Sequence, residues 1–151
     1  MTKDEKWMKV AINEAKLAMN ENEVPVGAVL VLNNKLIAQA HNQWILNNDA
    51  SAHAEIQLIR KAGKYLNNYR LVNSILYVTL EPCAMCLGAI VHARIDQIVF
   101  GAFDSKSGVC GSVSNLINEP YFNHKIIAKG GVLEHECKNI LQTFFKTKRH
   151  I

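Results

Sequence analysis

The sequence predicts an α/β protein, a three-layer α/β/α sandwich built on a mixed sheet of about five strands. Three observations predict it. A hairpin pattern stands near the N-terminus, where two apolar, β-prone runs (26–32 and 35–41) flank the turn pair Asn33-Asn34. Further on, short buried-type strands alternate with helical patterns, the arrangement that gives parallel strands with crossovers. Hydrophobic residues make up 49% of the 151 residues, enough to bury both faces of such a sheet under helices.

The elements follow in order. Residues 4–20 carry Trp7, Val10, Ala11, Ala15 and Ala18 at three- and four-residue steps, the stripe of an amphipathic helix. Glu23-Val24-Pro25 breaks that pattern ahead of the hairpin. Residues 45–52 are mostly polar or small and read as a loop. Residues 53–66 return to helical spacing, with Ile56, Ile59 and Leu66 on one side, and Asn67-Asn68 ends the helix. Residues 74–80 form a buried-type strand that Glu81-Pro82 stops. Proline suits the first turn of a helix, so Pro82 also opens the next one, 83–93. A second buried-type strand covers 95–100, and 104–112 is a loop rich in glycine and serine. A short helix near 113–117, a strand at 125–128 and an amphipathic helix at 132–148 complete the chain. The order is α-β-β-α-β-α-β-α-β-α.

Length suits one compact domain over residues 1–151. Charged residues make up 20% with both signs spread along the chain, and there is no low-complexity tract or repeat, which excludes a disordered or solenoid protein. A net charge of +4 permits a polyanionic partner without demanding one. Met1-Thr2-Lys3-Asp4-Glu5-Lys6 is polar with mixed charges and resembles no signal peptide. The longest apolar run, 83–91, is too short to span a bilayer, so the expected compartment is the cytoplasm. In a reducing compartment, closely spaced cysteines favour metal or redox chemistry over disulfides. Cys110 and Cys137 stand alone and read as small buried apolar residues.

Two motifs carry chemistry. His53-Ala54-Glu55 opens one predicted helix, and Pro82-Cys83-Ala84-Met85-Cys86 opens the next. In an open α/β sheet, ligands bind at the carboxyl edge of the strands where such helices start, so the motifs can face each other across one crevice. Cys83 and Cys86 stand three apart, which turns both sulfurs the same way on a first helical turn, and the positive helix end favours their thiolates. With His53 as third ligand they suit zinc, and three protein ligands leave a fourth position for water, the mark of a catalytic rather than structural site. A carboxylate beside the metal but not bound to it, Glu55, can then move protons. Each motif alone has other uses. C-x-x-C also serves redox centres and half of a structural zinc knuckle, and H-x-E is common on surfaces. A redox centre would want a thioredoxin-like βαβ context, and neither tryptophan nor glycine precedes this pair. A four-cysteine site needs two more cysteines at matching spacing, which Cys110 and Cys137 do not supply.

The joint pattern resembles that of the cytidine-deaminase-like superfamily of zinc nucleobase deaminases. H-x-E followed by P-C-x-x-C is the standing signature of that group, so the match is identification by resemblance. Within it the chain is most similar to the bacterial tRNA-specific adenosine deaminases, and the likeness covers nearly its whole length. Glu23-Val24-Pro25-Val26-Gly27-Ala28-Val29, Ala52-His53-Ala54-Glu55-Ile56 and Tyr77-Val78-Thr79-Leu80-Glu81-Pro82-Cys83-Ala84-Met85-Cys86 carry it. So do Phe100-Gly101-Ala102, Asp104-Ser105-Lys106-Ser107-Gly108, Asn123-His124-Lys125, Gly130-Gly131-Val132-Leu133 and Phe144-Phe145-Lys146. Phe103 occupies a slot that can be basic in relatives. The resemblance implies a cytidine-deaminase-like fold and hydrolysis of the wobble adenosine (position 34) of a tRNA anticodon loop to inosine. It implies one Zn2+ per subunit on His53, Cys83 and Cys86, with Glu55 as proton shuttle. Ala54 and Cys83 would supply backbone contacts to the attacking water and target ring, and Asn42 would hydrogen-bond the flipped base. A homodimer is implied, with the substrate groove near the subunit interface.

Reading an anticodon loop requires splayed bases on aromatic or arginine planes and cations near phosphates. The candidates are Asp104 and Lys106 in the loop after the fourth strand, and Phe144, Phe145, Lys146, Lys148, Arg149 and His150 at the end of the chain. Each has a plainer reading: a turn residue for Asp104, core packing for at least one phenylalanine, helix-dipole complementarity for the terminal cations. His92 and Arg94 can face RNA or the dimer partner, and His41 and His124 read as ordinary polar histidines. Two rivals stay open: a deaminase of a free base or nucleotide of guanine or cytosine type, and an inert zinc-bound scaffold. The presence of Glu55 counts against the second.

Overall fold

Strand alternation sends neighbouring side chains to opposite faces, and here each face meets its own pair of helices. The computed structural model describes residues 1–149; for Arg149 the backbone alone is described, and His150 lies outside the described residues. The strands are β1 (Gly27–Leu32), β2 (Lys35–His41), β3 (Ser74–Leu80), β4 (Gln97–Ala102) and β5 (Ile127–Lys129), in spatial order β2-β1-β3-β4-β5. β1 is antiparallel to β2 and β3, while β3, β4 and β5 run parallel. The helices are α1 (Lys3–Asn20), α2 (Ala54–Leu66), α3 (Ala84–His92) and α4 (Glu134–Arg149). Ala28, Leu30, Leu76, Val78, Ile98 and Phe100 pack against α2 and α3 through Leu58, Ala62, Leu87 and Ile90. Val29, Val31, Tyr77 and Val99 pack against α1 and α4 through Trp7, Met8, Ala11, Ile12 and Cys137. This is the three-layer mixed sheet the sequence predicts.

Local chemistry sets the boundaries. A capping box starts α1: Glu5 N–H donates to Thr2 Oγ1 (3.1 Å) and Thr2 N–H to Glu5 Oε1 (2.9 Å). Gly27 lets that helix lie on β1, because a Cβ there would collide with the Ala11 carbonyl and the Ala15 nitrogen. Asn33 and Asn34 both have positive φ (51° and 61°), as the tight hairpin turn requires. Among the described residues no helix is long and apolar enough to cross a membrane.

The structure departs from the sequence reading between β4 and β5. No helix forms near 113–117; residues 103–126 make an irregular crossover instead. The donors a helix would need are already committed. Ser112 N–H goes to the Glu81 carboxylate (3.1 Å), Val113 N–H to the Gly108 carbonyl (2.9 Å) and Leu116 N–H to the Val109 carbonyl (2.9 Å). Val109, Cys110, Ile117 and Ile126 still close the core on the α2/α3 face, so apolar spacing that suggested a helix serves a folded loop. β5 also starts two residues later than expected and has only three residues.

His41, at the end of β2, ties the sheet to α1. Its Nδ1 lies 2.7 Å from Glu14 Oε2 and its Nε2 3.0 Å from Glu21 Oε1. The Glu14 hydrogen bond raises the imidazole pKa above its ordinary 6.5, burial opposes, and Glu21 adds to the rise. A histidine held above its unfolded value stabilises fully below that value and loses the contribution as pH climbs through the folded one. Denaturant unfolding of wild type and His41→Gln should therefore show a stability gap that is largest at about pH 6 and shrinks towards about pH 8.5. A gap independent of pH would mean that His41 is neutral in the folded protein.

Candidate metal centre

Two helices on the same face of the sheet begin side by side. His53 is the N-cap of α2 and Cys83 the N-cap of α3, both with extended backbone and neither side chain spent on capping. The sequence reading placed both residues inside their helices; the cap position instead leaves them free to turn towards each other. Cys86, in the first turn of α3, completes the group. His53 Nδ1 lies 3.4 Å from Cys86 Sγ and 3.8 Å from Cys83 Sγ, and the three ligating atoms all lie within 4.8 Å of one another. A tetrahedral zinc with ordinary bond lengths separates its N and S ligands by about 3.4–3.8 Å. One imidazole and two thiols are also the donor types zinc prefers, so the residues fit it in both chemistry and spacing.

The two thiols are biased in opposite directions, one towards ionisation and one against it. Cys86 donates to Cys83, which, with His53 close by, holds the Cys83 thiol down to about 4 and pushes Cys86 up. His53 is raised, chiefly by its contact with Cys83. Glu55 lies one helical step further in, 4% exposed and outside the ligating group. Burial pushes its carboxyl up to about 7.

These residues floor a cavity of about 170 Å³. His53, Glu55 and Cys83 line it beneath; Val24, Val26 and Leu80 give it apolar walls; the buried Asn42 is also part of its lining, and the more exposed Trp44, Asp104 and Ser107 stand at its mouth. Asn42 is buried and held at both ends of its amide. Its Oδ1 accepts from Ala54 N–H (2.9 Å) and its Nδ2 donates to the Val24 carbonyl (3.1 Å), which leaves one N–H and one lone pair uncommitted. The Ala54 N–H is thus spent on Asn42, and Ala54 does not line the cavity. Lys106 is exposed on the same loop as Asp104 and donates its N–H to Asp104 Oδ1 (3.0 Å). Phe144 is core at 7% exposure and Phe145 is exposed. Among the described residues no α4 side chain lines the cavity; Phe144, Thr147 and Lys148 instead border a smaller cleft with Met19 and Asn22. Arg149 ends α4, with no side chain described.

Two buried glutamates that sequence reasoning left without a role hold the mouth in shape. Glu81, 2% exposed, accepts from Asp104 N–H (3.0 Å), Cys110 N–H (2.9 Å), Ser112 N–H (3.1 Å) and the Ser112 hydroxyl. Gly108 must lack a side chain because a Cβ would overlap that carboxylate. Glu23, 1% exposed, accepts from Ile45 N–H (3.1 Å) and Leu46 N–H (2.8 Å). Ser107 and Trp44 were missed as well. The available signal was an acidic residue next to an apolar strand, Glu81 directly after 74–80 and Glu23 three residues ahead of 26–32. Removing the Glu81 carboxylate strands at least three N–H donors, so Glu81→Ala should cost about 3 kcal/mol or more in unfolding free energy. It should also make Lys106 a preferred trypsin site in native protein, read by mass spectrometry of the fragments.

Comparison with known proteins places the chain among deaminases. The family model described as MafB19-like deaminase matches residues 2–149. A tRNA-specific adenosine deaminase of Bacillus subtilis (strain 168) is 50% identical over 149 residues, covering 99% of this chain and 92% of the relative. A structure solved in a study of A-to-I editing by tRNA:A34 deaminases superposes with a TM-score of 0.87 at 43% identity, covering 90% of this chain and 99% of that one. A guanine deaminase from Nitrosomonas europaea superposes with a TM-score of 0.80 at 19% identity, covering 93% and 83%, a likeness of fold alone.

Proposed function

We propose a function from one premise: this chain belongs to the MafB19-like deaminase family, alongside tRNA-specific adenosine deaminases that share half its sequence. On that premise it deaminates the wobble adenosine, position 34 of a tRNA anticodon loop, to inosine. The observation that carries the chemistry is the meeting of His53, Cys83 and Cys86 with Glu55 beside them, at the floor of a cavity of about 170 Å³.

His53, Cys83 and Cys86 would hold one zinc ion. Bound there, zinc supplies Lewis acidity, enough to let a water molecule attack near neutral pH. Asn42, fixed by Ala54 and Val24, offers its remaining N–H and lone pair to the edge of the base. Glu55 takes a proton from the attacking water, delivers it to the ring nitrogen, then moves a second proton to the leaving amine. Water adds its oxygen to the ring carbon and ammonia departs, so atoms balance without a redox partner. A carboxyl raised to about 7 by burial can accept and release protons near neutrality. The walls of Val24, Val26 and Leu80 keep bulk water from competing.

Lys106, on the loop at the mouth, would meet a phosphate there, and Lys146, Lys148 and Arg149, which belong to α4 away from the cavity lining, would meet phosphates further along the RNA, with the exposed Phe145 on the same helix. A cytoplasmic homodimer goes with this reading. The exposed Tyr65 in the last turn of α2, with Tyr69 and Val72 between α2 and β3, is apolar surface available for such a contact.

Purified protein incubated with tRNA should convert adenosine to inosine at position 34, read by sequencing, and leave free guanine, cytidine and deoxycytidylate untouched. Turnover of a free base without turnover of tRNA would place the chain with the free-base enzymes. Glu55→Ala should keep about one zinc per chain by elemental analysis while losing roughly 1,000-fold or more in turnover, because both proton transfers fail. Normal turnover in that variant would remove Glu55 from the mechanism.

A further inference from the structure

We propose that Trp44, flanked by Ile45 and Leu46, is an aromatic platform that receives a base adjacent to the target adenosine; this rests on the RNA reading above. The starting point is size. A cavity of about 170 Å³ has room for one base, so the neighbours of a base drawn from a loop must lie on the rim. One side of that rim is polar, with Asp104 and Ser107. The other is the tip of the 43–52 loop, which carries three large apolar side chains in succession.

These three serve no core. Trp44, Ile45 and Leu46 belong to neither apolar cluster of the protein. Ile45 and Leu46 are 67% and 61% exposed, while Trp44 lines the cavity with its ring centroid 5.1 Å from that of His53, tilted by 52°. Its indole Nε1 is buried without an acceptor, so the ring is not kept in place by a hydrogen bond of its own.

Yet the tip is fastened. The Glu23 carboxylate accepts from Ile45 and Leu46, Asp49 N–H donates to the Trp44 carbonyl (3.0 Å), and Asn47 N–H to the Gln43 carbonyl (3.0 Å). A buried carboxylate that fixes an apolar tip in water, at the mouth of a reaction pocket, gives a rigid surface with little ordering cost on binding. Aromatic faces accept any base by stacking, and unpaired loop bases are the ligands that need such a face. The occupant is therefore the flanking nucleotide of the same substrate, continuous with the one in the pocket.

The chain has two tryptophans, and Trp7 is a buried residue of α1 in the core between that helix and the sheet. Zinc-loaded, full-length Trp7→Phe protein thus reports on Trp44 alone. Titration with an anticodon stem-loop RNA should quench its fluorescence in step with binding. Trp44→Ala should lose about 5- to 100-fold in kcat/KM with zinc content unchanged, and Trp44→Phe should recover most of it. On stem-loops made abasic at one flanking position or the other, the Trp44→Ala loss should vanish for one of the two. No quenching on binding, or an equal loss on intact and both abasic RNAs, would overturn the proposal. So would a loss traced by sedimentation to a weakened protein dimer. A wild type that makes no inosine in the stem-loop or in tRNA would instead overturn the RNA reading itself.

Discussion

The site depends on two helix starts being held against one another at the edge of a sheet. A histidine and a cysteine reach the same point because each is the last extended residue before its helix. Moving either one residue along would rotate its side chain by about 100° and dissolve the cluster. The sheet fixes this. β3 and β4 run parallel with α3 as their crossover, α2 follows the hairpin on the same face, and the core under both helices is continuous from Leu58 to Ile90. The positive ends of both helices also converge there, which favours the anionic sulfurs and a developing negative charge in the same place.

Around that centre stand three buried glutamates with three different employments. Glu23 and Glu81 are spent on backbone N–H groups and shape the two rims. Glu55 fastens neither rim; it lines the cavity, and burial makes it a weak acid. Desolvation is tolerable for the first two because donors replace water, and useful for the third because it keeps a proton within reach. The apolar rim at Trp44 and the polar rim at Asp104 are thus set in place by carboxylates before any substrate arrives.

Much of this was legible in the chain. Alternation and helical spacing gave nine of the elements their place, since each is a local pattern set by which face is buried. Ligand types and spacing gave His53, Cys83 and Cys86, because zinc chemistry leaves few alternatives for that combination. The tenth element failed. Near 113–117 the apolar spacing was real, but Cys110 and Ser112 just ahead of it donate to Glu81, more than 20 residues away in sequence, and Val113 and Leu116 donate back into the same loop at Gly108 and Val109. Trp44 fell between the predicted strand 35–41 and the predicted loop 45–52 and received no role, since nothing local marks which connecting side chains face a cavity.

By itself, then, the sequence determined the layer order and singled out the His-Cys-Cys donor set and the carboxylate beside it, all of which rest on residue type and short-range spacing. Only the tertiary structure decided that His53 and Cys83 are caps rather than helix residues, and that Ala54 serves Asn42 instead of facing the cavity. It also decided that Glu23 and Glu81 build the mouth. The reason is physical: a buried charge is satisfied by whichever donors the fold brings to it, and those donors carry no signature of their own in the chain.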